Sequence, residues 1–95
     1  MALKFSGDAE TSQIIALKAL GYLAADEDLL EPFLGSTGLV VGDLKAGATD
    51  SAFLAGILDY FLQNEALLLA FAASEELAPE TIVRARQRLP GALND

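Results

Sequence analysis

The chain is expected to fold as an all-α domain, a compact bundle of about six short helices, and three observations lead there. The first is an internal echo. Displaced by 38 residues, Leu20, Tyr22, Glu27, Leu29, Leu30, Phe33, Ser36 and Leu39 fall on Leu58, Tyr60, Glu65, Leu67, Leu68, Phe71, Ser74 and Leu77. Those eight identities span positions 20–39, where a chain rich in Leu and Ala would match itself by chance at about two or three. The second is that no segment alternates apolar and polar residues with the period of two that a strand needs. The third is that cap residues, glycines and prolines cut the chain into helix-length pieces. The reading is one domain of two repeated three-helix units, approximately 9–48 and 51–89, with 1–8 and 91–95 as flexible ends.

The elements follow in order. Asp8 is a good N-cap for helix one, with Thr11 as a second choice, and the helix should run to about Ala25. Asp26 caps helix two, whose apolar edge is Leu29, Leu30 and Phe33. Pro32 lies beyond its tolerated first turn and should tighten or bend it, and Gly35-Ser36-Thr37-Gly38 reads as the closing turn. A short third helix starts after Val41 or Gly42 and holds Leu44. In the second unit Asp50 caps Ser51–Gln63 and Asn64 caps Glu65–Ser74. Pro79 then takes the first position of a last helix that stops before Pro90-Gly91.

Composition excludes more than it selects. At 53% apolar residues there is ample material for a core. There is no Cys and no His, which removes disulfides, thiolate chemistry, the usual general base and the commonest metal ligand. A net charge of −8 argues against generic nucleic-acid binding. Met1–Asp8 lacks the apolar run of a signal peptide. The most apolar window, Ser51–Ser74, is broken by Asp59, Gln63, Asn64 and Glu65, so no membrane span is expected and the cytoplasm is the default location.

The echo also sorts faces. In both units one side is large and apolar, with Ile15, Leu20 and Leu23 in helix one and Phe53, Leu58 and Phe61 in helix four. These are core candidates. The opposite stripe, which carries the polar residues, is Thr11, Ile14, Lys18 and Gly21 in one and Ala52, Gly56 and Asp59 in the other. A glycine in mid-helix costs about 1 kcal/mol against alanine, so Gly56 reads as a point of tight helix contact rather than a ligand site.

Where the units disagree, function can hide. Helix two turns Asp28, Glu31 and Gly35 outward, whereas the matching stripe of helix five is Ala66, Leu69 and Ala73. Either helix five is central and buries both faces, or that stripe is a surface for a protein partner or a second copy of the chain. The last helix carries Arg84, Arg86 and Arg88; Arg84 and Arg88 point the same way and Arg86 to the other side. Cations in a last turn complement the helix dipole. The alternative use is an anionic or acidic partner.

Catalytic chemistry finds no support. The carboxylates Asp26, Glu27, Asp28 and Glu31 sit on a cap and an outward face without the order of a calcium loop. Gly35–Gly38 has no following Lys to make a phosphate loop. Ser36, Thr37 and Ser74 have no histidine to activate them, and Asp59-Tyr60 reads as a solvent-facing Asp beside a half-buried Tyr. A helix-turn-helix over Leu29–Ala48 would offer DNA only Asp43 and Lys45.

Phe53-Leu54-Ala55 through Asp59-Tyr60, Asn64 through Phe71, and Leu77-Ala78-Pro79-Glu80 to Arg86 carry a resemblance. They resemble a family of short uncharacterised bacterial all-helical proteins grouped as a domain of unknown function, over about Thr11 to Gly91. The resemblance implies a free-standing helical domain and transfers no functional residue. The expectation is a non-catalytic protein-interaction or regulatory module with no cofactor and no metal. Its contact residues would be Ala66, Leu69, Ala73, Arg84 and Arg88. A homodimeric scaffold built on the same apolar face is the first alternative, and a nucleic-acid-binding regulator using the Arg helix the second.

Overall fold

A computed structural model describes residues 9–90. Asp8, the expected first cap, and the two ends expected to be flexible lie outside the described residues. Six helices follow one another: α1 (Ala9–Ala24), α2 (Glu27–Thr37), α3 (Val41–Gly47), α4 (Ser51–Leu62), α5 (Glu65–Ser74) and α6 (Pro79–Gln87). No strand occurs among the described residues. The radius of gyration is 12.8 Å, as expected for a compact chain of this length.

Local chemistry explains the boundaries. Asp26 and Asp50 are extended N-caps whose carboxylates accept from the amides of Asp28 (2.9 Å) and Ala52 (3.0 Å). At α3 the Asp43 carboxylate reaches back to accept the Val40 amide at 3.0 Å. Pro79 opens α6 at its first turn, where its missing N–H leaves no bond unmade.

Two expectations about ends need correction. Asn64 precedes α5 but makes no side-chain cap bond; its amide instead donates back to the Tyr60 carbonyl at 2.7 Å, closing α4. Gly35, Ser36 and Thr37 are not a turn but the last turn of α2. The Ser36 and Thr37 hydroxyls donate to the Phe33 carbonyl at 3.3 and 2.7 Å, and only Gly38 leaves the helix, at φ 74°.

The core is one cluster. Leu23, Phe33, Leu54, Ile57, Leu58, Phe61, Phe71 and Ile82 are almost wholly buried, and Ile15, Leu20 and Leu44 nearly so. Phe53 is only partly buried against this cluster. Two aromatic pairs are reciprocal under the 38-residue shift. Tyr22 stands edge-on to Phe71 with ring centroids 5.4 Å apart, and Tyr60 edge-on to Phe33 at 4.9 Å. Phe61 sits 5.1 Å from Phe71 between them.

The two stretches do not pack as two separate three-helix modules. α1 lies against α2, α4 and α6; α6 also packs on α4 and α5; α3 rests chiefly on α4. The contact of α3 is close because Gly47 is buried under the Phe53 ring, where a Cβ would collide. Ser12 is buried as well, and its hydroxyl has no hydrogen-bond partner among the described residues.

Candidate functional site

The residues singled out from sequence fall on two neighbouring helices. On α5, the side bearing Phe71 and Ala72 enters the core, while Ala66, Leu69, Ala70 and Ala73 are exposed. Leu69 keeps 46% of its surface, so the reading in which α5 buries both faces is wrong. The reason is topological: α5 packs mainly on α4 and α6, with the Tyr22 ring of α1 against Phe71, and all of these lie on its inner side among the described residues. Glu65, at the helix start, is the one charge on that exposed face. The corresponding face of α2 exposes Asp28, Glu31 and Gly35.

On α6, Arg84 and Arg88 are exposed together, and the Arg88 guanidinium donates to the Arg84 carbonyl at 3.3 Å. That is the end-of-helix role expected of a cation there. Arg86 points away from them and is consumed. Its Nε donates to Asp59 at 2.6 Å and its Nη1 to the Pro90 carbonyl at 3.0 Å. The Arg86 side chain is 13% exposed and that of Asp59 44%. This pair fastens the end of α6 to α4, so Asp59 is an ion-pair partner rather than a free solvent-facing acid. A weaker link joins Lys18 of α1 to Glu75 at 3.6 Å.

Sequence reasoning missed a cleft. Pro32, Ser36 and Thr37 of α2 face Gly56, Asp59, Tyr60, Gln63 and Asn64 along α4 and its end, enclosing about 560 Å³ open to solvent. The two helices are bridged by the Phe33–Tyr60 ring pair rather than by close approach of their backbones. A Cβ on Gly56 would meet nothing within 4 Å. The expected tight helix contact at Gly56 is therefore absent, and the glycine is part of the cleft floor. The spacing of Ala52, Gly56 and Tyr60 was the available signal, but nothing in it tells open space from close packing.

Other large apolar residues are also exposed. Val40 and Val41 keep 63% and 61% of their surface at the start of α3, while Ile14 and Leu17 share a face of α1 and Val83 lies on α6. Isolated exposure of this kind is ordinary. What sets α5 apart is an uncharged face running from Ala66 to Ala73. No group of acidic residues placed to hold a metal ion occurs among the described residues. No single helix there is long and apolar enough to cross a membrane. α4 and α5 together form the most apolar stretch but bend by 109° at their junction.

The fold and these surfaces define a small all-α domain with an unpaired apolar helix face and a polar cleft. Residues 9–92 match the family described as a protein of unknown function, DUF3572, and the chain belongs to it. Comparison with curated proteins and with solved structures returns no match.

Proposed function

We propose that this chain is a non-catalytic interaction module that engages a protein partner through the outward face of α5. The observation that carries this reading is the exposure of Leu69 within the uncharged stripe Ala66, Leu69 and Ala73. A ten-residue helix that buries one face and leaves a second apolar face in water forgoes burial worth roughly 25 cal/mol for each Å². A partner that covers it recovers that free energy. Arg84 and Arg88, on the packed helix α6, supply exposed positive charge for acidic groups of the same partner.

The nucleic-acid reading draws less support. With Arg86 committed to Asp59, the helix offers two free cations, too few to offset a net charge of −8. A second copy of the chain is the alternative occupant of the same stripe.

Leu69→Glu tests the proposal. The variant is expected to unfold within about 1 kcal/mol of wild type, because the side chain it replaces is half outside the core. It should also lose the proteins that co-purify with wild type from the native cell. Sedimentation velocity assigns the occupant: a dimer that Leu69→Glu dissociates means a second copy. An unfolded variant, or one that retains every interaction, overturns the reading.

A further inference from the structure

The cleft between α2 and α4 shares no residue with the α5 stripe, and its lining is close to neutral. Asp59 is the one charged residue there, and its carboxylate already accepts from Arg86 at 2.6 Å through one oxygen. Pro32 and Gly56 present no polar side-chain atom; every other lining residue does. The volume of about 560 Å³ falls within the range of small-molecule sites, roughly 300–1,000 Å³.

The hydrogen-bonding capacity left on these walls is mixed. Ser36 and Thr37 spend their hydroxyl protons on the Phe33 carbonyl, so the Ser36 oxygen is left to accept. Asn64 spends one N–H on the Tyr60 carbonyl and keeps its other N–H and its oxygen. The Tyr60 hydroxyl and the Gln63 side-chain amide make no hydrogen bond with any described residue. Asp59 has a second oxygen to accept with. Donors and acceptors are thus interleaved along the α4 wall, from Asp59 through Tyr60 and Gln63 to Asn64.

From this pattern we infer that the cleft binds a small neutral polyol, a ring bearing adjacent hydroxyls of the sugar or cyclitol kind. A hydroxyl donates and accepts through one atom, so neighbouring hydroxyls satisfy Asp59, Tyr60, Gln63 and Asn64 together. Other ligand classes fit less well. An anion brings only acceptors to a wall whose one charge is negative and whose adjoining guanidinium, that of Arg86, is taken by Asp59 and the Pro90 carbonyl. A cation brings only donors, finds that carboxylate already paired, and leaves the amide N–H groups unmet. An apolar molecule strips water from polar groups and returns no hydrogen bond. The C–H face of a polyol ring lies over Pro32 and the bare backbone of Gly56, where a Cβ would meet nothing within 4 Å.

The test titrates the full chain, isotope-labelled, with glucose, ribose and myo-inositol, and with acetate and methylguanidinium as charged controls. At least one polyol is expected to give saturating amide shifts confined to residues 32–37 and 56–64. A Kd of roughly 1–10 mM suits an open cleft that offers a few neutral hydrogen bonds. Neither control should saturate. Gln63→Ala removes an unpartnered amide at an exposed position and should weaken binding roughly three- to tenfold. Gly56→Leu occupies the floor and should abolish binding; if the leucine disturbs the fold, the alanine variant decides. No saturation by any of the three polyols, saturation by a charged control at comparable concentration, shifts spread evenly over all the helices, or a Gln63→Ala affinity within about twofold of wild type would each overturn the inference.

Discussion

The stretch from α1 to α3 and the stretch from α4 to α6 share three helix boundaries to the residue and yet are not packed alike. α1 and α4 end 38 residues apart at Ala24 and Leu62, α2 and α5 begin at Glu27 and Glu65, and α3 and α6 begin at Val41 and Pro79. Burial follows the same register: Leu20 and Leu58, Leu23 and Phe61, Phe33 and Phe71, and Leu44 and Ile82 are all in the core. The difference lies in the third helix. α6 packs on α1, α4 and α5, whereas α3 rests chiefly on α4. Equivalent local sequence thus sets the ends of α1 and α4 and the starts of the helices that follow them, while the position of each stretch in the whole decides what it leaves exposed.

The largest effect is expected at the equivalent phenylalanines. Phe71→Ala and Phe33→Ala should each cost about 3–5 kcal/mol by urea denaturation. Phe71 should cost more, since it touches both Tyr22 and Phe61 while Phe33 has the Tyr60 ring alone. Equal losses would mean that the second stretch gains nothing from its closer packing.

A smaller change probes the join between the stretches. Gly47→Ala places a Cβ against the Phe53 ring, and displacement of that ring should cost about 1–3 kcal/mol. A neutral result would show α3 to be free to slide on α4.

The smallest test addresses the helix ends. Gly38 leaves α2 at φ 74°, and its equivalent beyond α5, Glu76, adopts φ 56°. A left-handed conformation costs a residue with a Cβ roughly 1 kcal/mol that glycine does not incur. Glu76→Gly should therefore raise the melting temperature and Gly38→Ala lower it. Any other ordering would separate the two ends.

Much of this molecule was legible in its sequence because helix boundaries are set by neighbours along the chain. Asp26, Asp50 and Pro79 act on amides within three residues, and the 38-residue echo needed no knowledge of packing to assign Leu58 and Phe61 to the core. The errors share a cause. Ser36 and Thr37 read as turn residues because their hydroxyls compete with helix, yet here they bond to the Phe33 carbonyl and prolong it. Gly56 read as a tight contact because a glycine costs stability wherever it stands, and the cost does not say what lies above it.

The chain by itself determined an all-α fold, six helices close to their observed positions and most of the core residues of α1, α2, α4 and α5, since caps and periodicity are local properties carried by adjacent residues. Only the tertiary structure decided that α5 keeps Leu69 in water, that Asp59 is claimed by Arg86, and that a cleft opens between α2 and α4. Those facts depend on which helix lies beside which, and a helix face is apolar in the same way whether or not a neighbour comes to cover it.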